Sequence, residues 1–462
     1  MIESFRNIFA IPDLRKRVIF TFALLAVYRL GAFIPIPGID PVAIAEFTKA
    51  AEGTVLGFLN LFSGGALGRM TVFALGIMPY ISASIILQLL TVVWPYLEKL
   101  SKEGELGRRK ITQYTRYGTV VLSVIQSLGI SFFLERTSAP GGAPLVPEDF
   151  KGWGFRLLTV LTLTTGTAFV MWLGEQISER GIGNGISLII FAGIVVGLPR
   201  AIFNTLTDIQ TGALNIITVV LLVVFMFAVV AAIVYMERAQ RRIPIQYAKR
   251  VVGRRVYGGQ STYLPLRINT GGVIPVIFAA SIMSFPQTLG QMIENRWLQK
   301  ITQALAWGEP LYNLVYFLSI IFFCYFYTSI IFNPEDTAEN MRKYGGFIPG
   351  IRPGKRTAEF IDKILTRITL VGAVYLALVA ILPEILIAGF KVATIPYIGP
   401  ALDAFLPAWF TQGLGVKFFF GGTSLLIVVG VAMDTVQQIE SQLVMRHYDG
   451  FMRKGRVRGR RG

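Results

Sequence analysis

Few residues of this chain have side chains that could carry out catalysis or bind a metal. The 462 residues include one histidine, His447, and one cysteine, Cys324, which excludes a disulfide framework and a Cys/His metal cluster. His447 lies in the basic C-terminal segment, so a serine nucleophile within the apolar segments would have no base. The sequence before Lys355 approaches a P-loop, but Pro349 stands where that motif requires its first glycine. We therefore expect no catalytic residue, metal or cofactor, and any nucleotide energy must come from a partner.

Charged residues are also missing from the places where an ion-coupled transporter needs them. Such proteins keep ionisable side chains near the centre of the membrane, whereas most apolar segments of this chain have uncharged middles. The segments that could line a pathway offer isoleucines instead, namely Ile77, Ile81, Ile186, Ile190 and Ile277. Taken singly, each isoleucine is better explained by lipid contact or helix packing. A solute transporter and a membrane enzyme stay as the weaker alternatives.

The composition indicates the elements that must position these residues. Hydrophobic residues make up 53% of the chain and charged residues 15%, and the mean hydropathy is +0.58, whereas soluble domains carry about a quarter charged residues. A membrane-spanning helix needs about 20 mostly apolar residues. Ten stretches meet this requirement, near 18–37, 71–94, 117–135, 155–174, 184–203, 214–236, 271–290, 312–332, 368–389 and 416–437. The sequence thus predicts an all-α membrane protein with ten transmembrane helices.

The net charge of +17 is distributed unevenly among the loops. If the N-terminus is cytoplasmic, 33 of the 44 basic residues fall in cytoplasmic segments, as the positive-inside rule requires. We therefore predict that both termini are cytoplasmic. The first apolar segment ends in PIPG (35–38) with no small-x-small cleavage site, so we expect a retained helix rather than a signal peptide.

Glycines interrupt the second apolar region. Residues 55–94 exceed one membrane thickness, but Ser63-Gly64-Gly65 and Gly68-Arg69 interrupt them. Non-helical backbone at membrane depth requires protein or water around it. This pattern predicts a short re-entrant helix over 57–67 that leads into a full span at 71–94. An external amphipathic loop segment is the alternative.

A short pattern, G-x-x-P-x-I-x-A, occurs in residues 76–83 and again in residues 272–279. These are the second spans of two five-span halves, and internal symmetry of this kind points to a pathway between the halves. Because five is odd, the halves would be inverted relative to each other. We predict an N-terminal half over 1–205, a C-terminal half over 206–440 and a basic cytoplasmic tail over 441–462.

Two predicted cytoplasmic loops, 237–268 and 333–367, are too long and too rich in Gly, Pro and aromatic residues to be simple connectors. The first carries Arg254 and Arg255 next to Gly253, a pattern typical of a hairpin tip. Clustered arginine with glycine is characteristic of surfaces that bind RNA or other anionic partners. The alternative is orientation by the positive-inside rule with anionic lipid contact, which explains the charge but not the loop length.

Several long motifs resemble the SecY family of protein-conducting channels, and the likeness covers nearly the whole chain. They are FIPIPGID (33–40), NLFSGGAL (60–67), FALGIMPYISASII (73–86), KEGELGRRKITQYTRYG (102–118), GEQISERGIGNG (174–185), YAKRVVGRRVYGGQSTYLPLRIN (247–269), GGFIPGIRPGKRT (345–357) and GGTSLLIVVGVAMDT (421–435). The loops at 136–152 and 389–416 carry no such motif. The resemblance implies a passive channel in the bacterial inner membrane. It would move unfolded secretory polypeptides outward and release transmembrane segments sideways into lipid.

The resemblance also implies roles for individual residues. A short plug helix at about 57–70 would seal the pore and would include Phe58, Leu59, Asn60, Leu61, Phe62, Ser63, Gly64, Gly65, Ala66 and Leu67. The pore ring would consist of Ile77, Ile81, Ile186, Ile190, Ile277 and Ile427. A lateral gate of spans two and three against seven and eight would carry the polar residues Ser82, Gln126 and Asn269. Arg254, Arg255 and Arg352 match positions that contact the ribosome or the SecA motor. The implied partners are SecE, SecG, SecA, the ribosome, nascent secretory and membrane polypeptides, and anionic lipids.

Overall fold

The computed structural model describes residues 11–50, 60, 63–212, 214–247, 250–252, 255–257, 261–292, 300, 302, 304–306, 309–391, 407, 411, 413 and 422–454. The chain divides into two compact units. The first unit comprises Met1–Asn204, Gln287–Gln299 and Val431–Gly462, and the second comprises Thr205–Pro286 and Lys300–Gly430.

The described elements are mostly helical. The helices are α1 (Pro12–Gly31), α2 (Pro41–Ala50), α3 (Met78–Val93), α4 (Pro95–Lys102), α5 (Glu105–Arg136), α6 (Trp153–Arg180), α7 (Gly185–Gln210), α8 (Ile216–Arg238), α9 (Ile274–Met292), α10 (Pro310–Ile331), α11 (Pro334–Lys343), α12 (Lys355–Ala388) and α13 (Gly422–Lys454). The strands are β1 (Gln240–Tyr247), β2 (Arg250–Val252), β3 (Arg255–Tyr257), β4 (Ser261–Arg267) and β5 (Gly346–Phe347).

Seven helical segments in the described part of the chain are long and apolar enough to cross a membrane. They are α5, α6, α7, α8, α10 with α11, most of α12, and the Gly422–Leu443 part of α13. An eighth span results if α3 and α4 form one element, although these helices meet at a bend of 98°, where Pro95 cannot continue the preceding helix. The predicted all-α, multi-pass fold is confirmed. The count of ten stays a prediction, since α1 carries four basic residues and the apolar part of α9 is short.

Two ion pairs join the long helices α5 and α6 of the first unit. Arg116 Nε lies 2.7 Å from Glu175 Oε1. Farther along both helices, Arg156 donates from Nη2 and Nε to Glu135 Oε2 at 2.6 and 2.9 Å. The Gly152 amide donates to the other Glu135 oxygen at 3.0 Å. Paired, hydrogen-bonded charges of this kind can be held where little water reaches them.

The second unit contains a small sheet with the strand order β4-β1-β5, all antiparallel. Strand β1 comes from loop 237–268 and β5 comes from loop 333–367, so the sheet joins the two long loops into one body. Alternate β1 residues, Ile243 and Ile245, are buried with Leu266, Met341 and Ile361. The period-two burial fits a strand with one covered face, and it explains why the loops exceed the length of connectors.

Of the predicted re-entrant helix over 57–67, the structure describes residue 60, which is helical, and residues 63–67, which are not. Residues 63–70 form consecutive turns rather than a helix. Gly64 and Gly65 have φ of +64° and +82°, a region that favours glycine and that an α-helix does not use. We call residues 63–67 the glycine turn. The predicted plug residues Phe58, Leu59, Leu61 and Phe62 lie outside the described residues.

The predicted span at 71–94 begins later than expected, because α3 starts at Met78. Thr71 pairs with Pro35 in an isolated β-bridge, and the Val72 amide donates to Ile34 O at 2.9 Å. Gly76 has φ of +55°, and the turn segment ends just before α3, whose first turn contains Pro79. The apolar composition of residues 71–77 therefore reflects burial inside the unit rather than a membrane-spanning turn of helix.

Candidate functional site

The glycine turn is closed by side chains of its own segment. The Ser63 hydroxyl donates to Asn60 O at 3.0 Å and accepts from Leu67 N at 3.0 Å. Asn60 Oδ1 accepts from Gly68 N at 2.7 Å, and Asn60 O also accepts from Gly65 N at 2.9 Å. Short polar side chains that bond nearby backbone favour turns over helix. The turn is thus a locally defined structure.

Two neighbouring residues of α1 attach the glycine turn to the rest of the first unit. The buried Tyr28 hydroxyl donates to Ser63 O at 3.3 Å, and Arg29 Nη1 donates to Gly64 O at 2.7 Å. On its other side the turn lies directly against α7, since a Cβ on Gly64 would come within 3.0 Å of Gly193 Cα. Backbone approaches backbone there because both positions are glycine.

The glycine turn lies beside two predicted pore-ring positions. A Cβ on Gly76 would lie 3.7 Å from Ser63 Cβ, and Ile77 follows directly. Gly193 comes three residues after Ile190, so the two share a face of α7. Both isoleucines are buried, with 3% and 1% of their surfaces exposed. Within the first unit, the structure therefore brings two of the predicted ring residues to the same turn.

The other two ring residues of this unit differ from each other in their surroundings. Ile81 lies on α3, one helical turn after Ile77, and is buried. Ile186 is half-buried on the first turn of α7. A Cβ on Gly174 would lie 3.2 Å from Ile186 Cγ1, so this side chain packs on α6.

The second unit contains the remaining two predicted ring residues, Ile277 on α9 and Ile427 on α13. Both are buried. A Cβ on Gly430 would lie 3.0 Å from a Val273 methyl carbon, so α13 packs on the start of α9. Ile427 precedes Gly430 by three residues and Ile277 follows Val273 by four, which places both near this contact. A ring that includes all six isoleucines stays a prediction.

The predicted lateral-gate residues of the first unit lie on two helices that pack together. Ser82 on α3 and Gln126 on α5 are both half-buried. A Cβ on Gly118 of α5 would lie 3.5 Å from Ala83 Cβ, one residue after Ser82. The packing of spans two and three that the gate requires is therefore present, although the gate itself stays a prediction.

Asn269, the predicted gate residue of the second unit, is bonded within that unit. Its Nδ2 donates to Glu237 Oε1 at 2.6 Å and to Gly272 O at 3.0 Å. Asn269 is buried, and a carboxylate acceptor makes the first bond a strong one. The side chain thus ties the end of α8 to the chain that enters α9.

The predicted docking arginines lie on the body that contains the sheet. Arg352 is exposed in the turn between β5 and α12, and its carbonyl accepts from the Thr357 hydroxyl at 3.0 Å. Strands β2 and β3 pair antiparallel, with Val252 opposite Arg255, which confirms the predicted hairpin. Arg254 lies outside the described residues, and only the backbone of Arg255 is described.

Positive charge is concentrated near the glycine turn. The guanidinium carbons of Arg29 and Arg69 lie 4.9 and 4.3 Å from the centroid of the Phe33 ring, within the range of cation–π attraction. Arg69 Nε donates to Gly65 O at 3.1 Å. Burial lowers the pKa of Arg69, and the cations of Arg29 and Arg200 lower it further. The turn is thus bordered by cations that repel one another.

Sequence reasoning did not identify Tyr28, Arg29 or Glu237 as site residues. Arg29 carried a signal, since it is the single charge inside the first predicted apolar stretch, and such residues are costly in a membrane unless they have a role. Glu237 directly follows the predicted span 214–236, where a charged residue at the membrane border is common and indicates no special role. In the part of the chain that the structure describes, no group of His, Cys, Asp and Glu side chains is arranged to hold a metal ion.

Comparison with known proteins identifies the family to which this architecture belongs. A family profile described as SecY matches residues 71–436. The chain belongs to the SecY family. The "Protein translocase subunit SecY" of Escherichia coli (strain K12) is 49% identical over 451 residues, covering 97% of this chain and 96% of the relative. The protein of that name from Aquifex aeolicus (strain VF5) is 45% identical over 455 residues, covering 98% and 100%.

Solved structures related to SecY have the same fold. "The structure of a protein conducting channel" superposes with a TM-score of 0.61 at 19% identity and covers 93% of this chain and 92% of that one. "Sec61 in the Canine ribosome-channel complex from the endoplasmic reticulum" gives 0.57 at 18% identity, with the same coverage. At these identities the likeness concerns the fold alone. With the SecY relatives, it confirms the predicted fold class and protein translocation as the function of the family.

Proposed function

We propose that this SecY-family chain is the passive pore of a protein translocase. Unfolded secretory polypeptides would pass between its two predicted halves, through a constriction formed by Ile77, Ile81, Ile186, Ile190, Ile277 and Ile427. The observation that carries this proposal is the position of the glycine turn, which packs against Gly76, the residue before Ile77, and against Gly193, on the same face of α7 as Ile190. A segment held at the constriction can seal it when no polypeptide is present.

The chemistry of isoleucine supports this role. A ring of branched apolar side chains offers no ligand to an ion, and hydrophobic constrictions resist ion passage by excluding water. The same side chains adapt to an extended polypeptide of any sequence, because dispersion contacts are non-directional. The site therefore favours a polymer without a fixed sequence over a small charged solute.

A lateral exit is the second part of the proposal. A hydrophobic signal sequence or transmembrane segment would leave between α3 and α5 on one side and α9 and α10 on the other. Leucine-rich segments lose no free energy on moving into lipid. Ser82, Gln126 and Asn269 would set how hydrophobic a segment must be to part the helices, since polar groups at the gate favour the closed state.

Partner proteins would supply the energy for translocation, and the basic residues would orient the chain in the membrane. The basic body formed by loops 237–268 and 333–367 would bind the SecA motor or the ribosome through Arg254, Arg255 and Arg352, with SecE and SecG as companion subunits. A Sec61 structure carries the ribosome in its name, which supports such docking. Anionic lipids would attract the basic tail, and both termini would lie on the cytoplasmic side of the bacterial inner membrane, as the positive-inside rule predicts.

Photo-crosslinking tests the proposed pore. We expect a photoreactive residue at Ile277 or Ile427 to label a stalled secretory polypeptide, because both side chains are buried in the interior rather than facing lipid. Leu318, on α10 of the same unit, is the matched control, since 55% of its surface is exposed. Equal labelling from Leu318 and from the two interior positions would contradict the proposal.

A further inference from the structure

The contacts of α1 with the glycine turn are specific rather than general packing. Two consecutive side chains, Tyr28 and Arg29, donate to the carbonyls of two consecutive residues, Ser63 and Gly64. The 2.7 Å bond from Arg29 is short and charge-assisted. Ser63 O also accepts from Ala66 N at 3.3 Å, so the Tyr28 hydroxyl shares its acceptor, and the shorter Arg29 bond to Gly64 O is the stronger of the two attachments.

Phe33 fixes the direction in which Arg29 points. Phe33 lies two residues beyond the end of α1 and four residues after Arg29, and the guanidinium carbon of Arg29 lies 4.9 Å from the centroid of its ring. This stacking limits the rotamers of a long side chain, so less entropy is lost when its hydrogen bond forms. Arg29 is therefore held in position for Gly64 O before the bond forms.

We infer that Arg29 is the positioning residue that holds the glycine turn at the pore. This inference rests on the proposed function, in which the turn seals the resting channel. The Arg29 bond and the Tyr28 bond keep the turn against Gly193 and beside Ile77 and Ile190. Opening of the channel requires both bonds to break.

The neighbouring charges make this attachment reversible. Arg69 also bonds the turn, at Gly65 O, and its guanidinium stacks on the same Phe33 ring. Because both guanidiniums are cations, each weakens the hold of the other. The turn is consequently held by bonds strong enough to keep it in place and opposed by a repulsion that lowers the cost of release.

Ion conductance of the reconstituted complex, measured in planar bilayers without a substrate, tests this inference. Arg29→Met removes the donor and the charge but keeps an unbranched apolar stem, and it is expected to raise the resting conductance about tenfold, as loss of one charged hydrogen bond to the closed state should. Arg29→Lys keeps a charged donor and is expected to restore most of the seal. Arg200→Met is the matched control. It removes a cation of the same cluster, and among the described contacts Arg200 makes no hydrogen bond to the turn.

The possible outcomes separate the inference from the proposed function. Accumulation of Arg29→Met in the membrane and its monodisperse elution in detergent show whether the variant folds, independently of the conductance. If Arg29→Met conducts like the wild type while deletion of residues 58–67 leaks, the inference is wrong and the proposed seal stands. If the deletion does not leak either, the proposed seal is wrong. Should Arg29→Met fail to accumulate, Tyr28→Phe carries the test. It removes one neutral hydrogen bond and is expected to raise conductance about fivefold, and an unchanged value overturns the inference.

Discussion

Deleting residues 58–67 is expected to raise the ion conductance of the resting channel by on the order of a hundredfold. The deletion removes the acceptors of Tyr28 and Arg29 together with buried residues that fill the space beside Gly193. Water would therefore reach the isoleucines, and an apolar constriction blocks ions only while it stays dry.

Single-channel recording in planar bilayers, without a partner or precursor, measures this effect. The matched control removes ten residues elsewhere, 453–462, from the basic tail, starting with the last two residues of α13. That truncation changes more charge but leaves the glycine turn and its contacts with Tyr28 and Arg29 in place, so its conductance should equal that of the wild type. Equal conductance of the 58–67 deletion and the wild type would mean that the glycine turn is not a seal.

Gly166→Val is expected to destabilise the first unit by about 3 kcal/mol or more, which is typical of severe overpacking. A Cβ at Gly166 of α6 would lie 2.0 Å from Val72 O. Val72 cannot move aside easily, because its amide is bonded to Ile34 O and the neighbouring Thr71 lies in the β-bridge. The substitution would push α6 away from the segment that enters α3.

Thermal unfolding in detergent, followed by loss of the monodisperse peak, measures the effect of Gly166→Val. Gly154→Val is the control, because it places the same residue on the same helix at a position with no other atom within 4 Å. It makes the same exchange of glycine for valine without a clash. A Gly166→Val protein as stable as Gly154→Val would show that α6 and Val72 do not meet as described.

The sequence predicted the helices of this protein better than the turns between them. Segments of about 20 apolar residues can bury their backbone polar groups only as helices in lipid, so the spans that became α6, α8 and α10 were predictable to within a few residues. Residues 71–77 are just as apolar, yet they form turns. Their side chains are buried by α1 and α6, and hydropathy cannot distinguish burial in protein from burial in lipid.

The sheet of the second unit could not be predicted from the sequence, for a different reason. Its pairing of β1 with β5 joins residues about a hundred positions apart, and no local pattern specifies such a partner. The alternation of Ile243 and Ile245 with polar residues was a local sign of a strand. In the sequence this alternation lies within a long basic loop, where the positive charge is the more conspicuous feature.

The site residues were predictable as a class rather than one by one. An isoleucine in a pathway and an isoleucine against lipid have the same side chain, so Ile77 and Ile190 could be singled out only through the family resemblance. Their position beside the glycine turn is a property of the folded chain. Arg29 and Tyr28 became part of the site in the same way, because their acceptors are backbone carbonyls, which every residue carries.

The distance between the two ion pairs along α5 and α6 corresponds to the thickness of a membrane. Arg116 and Glu135 are 19 residues apart on α5, and Arg156 and Glu175 are 19 residues apart on α6. At 1.5 Å per residue this is about 28 Å, close to the roughly 30 Å of a bilayer's hydrocarbon core. The pairs therefore mark its two borders. The first turns of α5, which carry Arg108, Arg109 and Lys110, extend beyond one border by more than about 10 Å and hold that basic surface clear of the lipid.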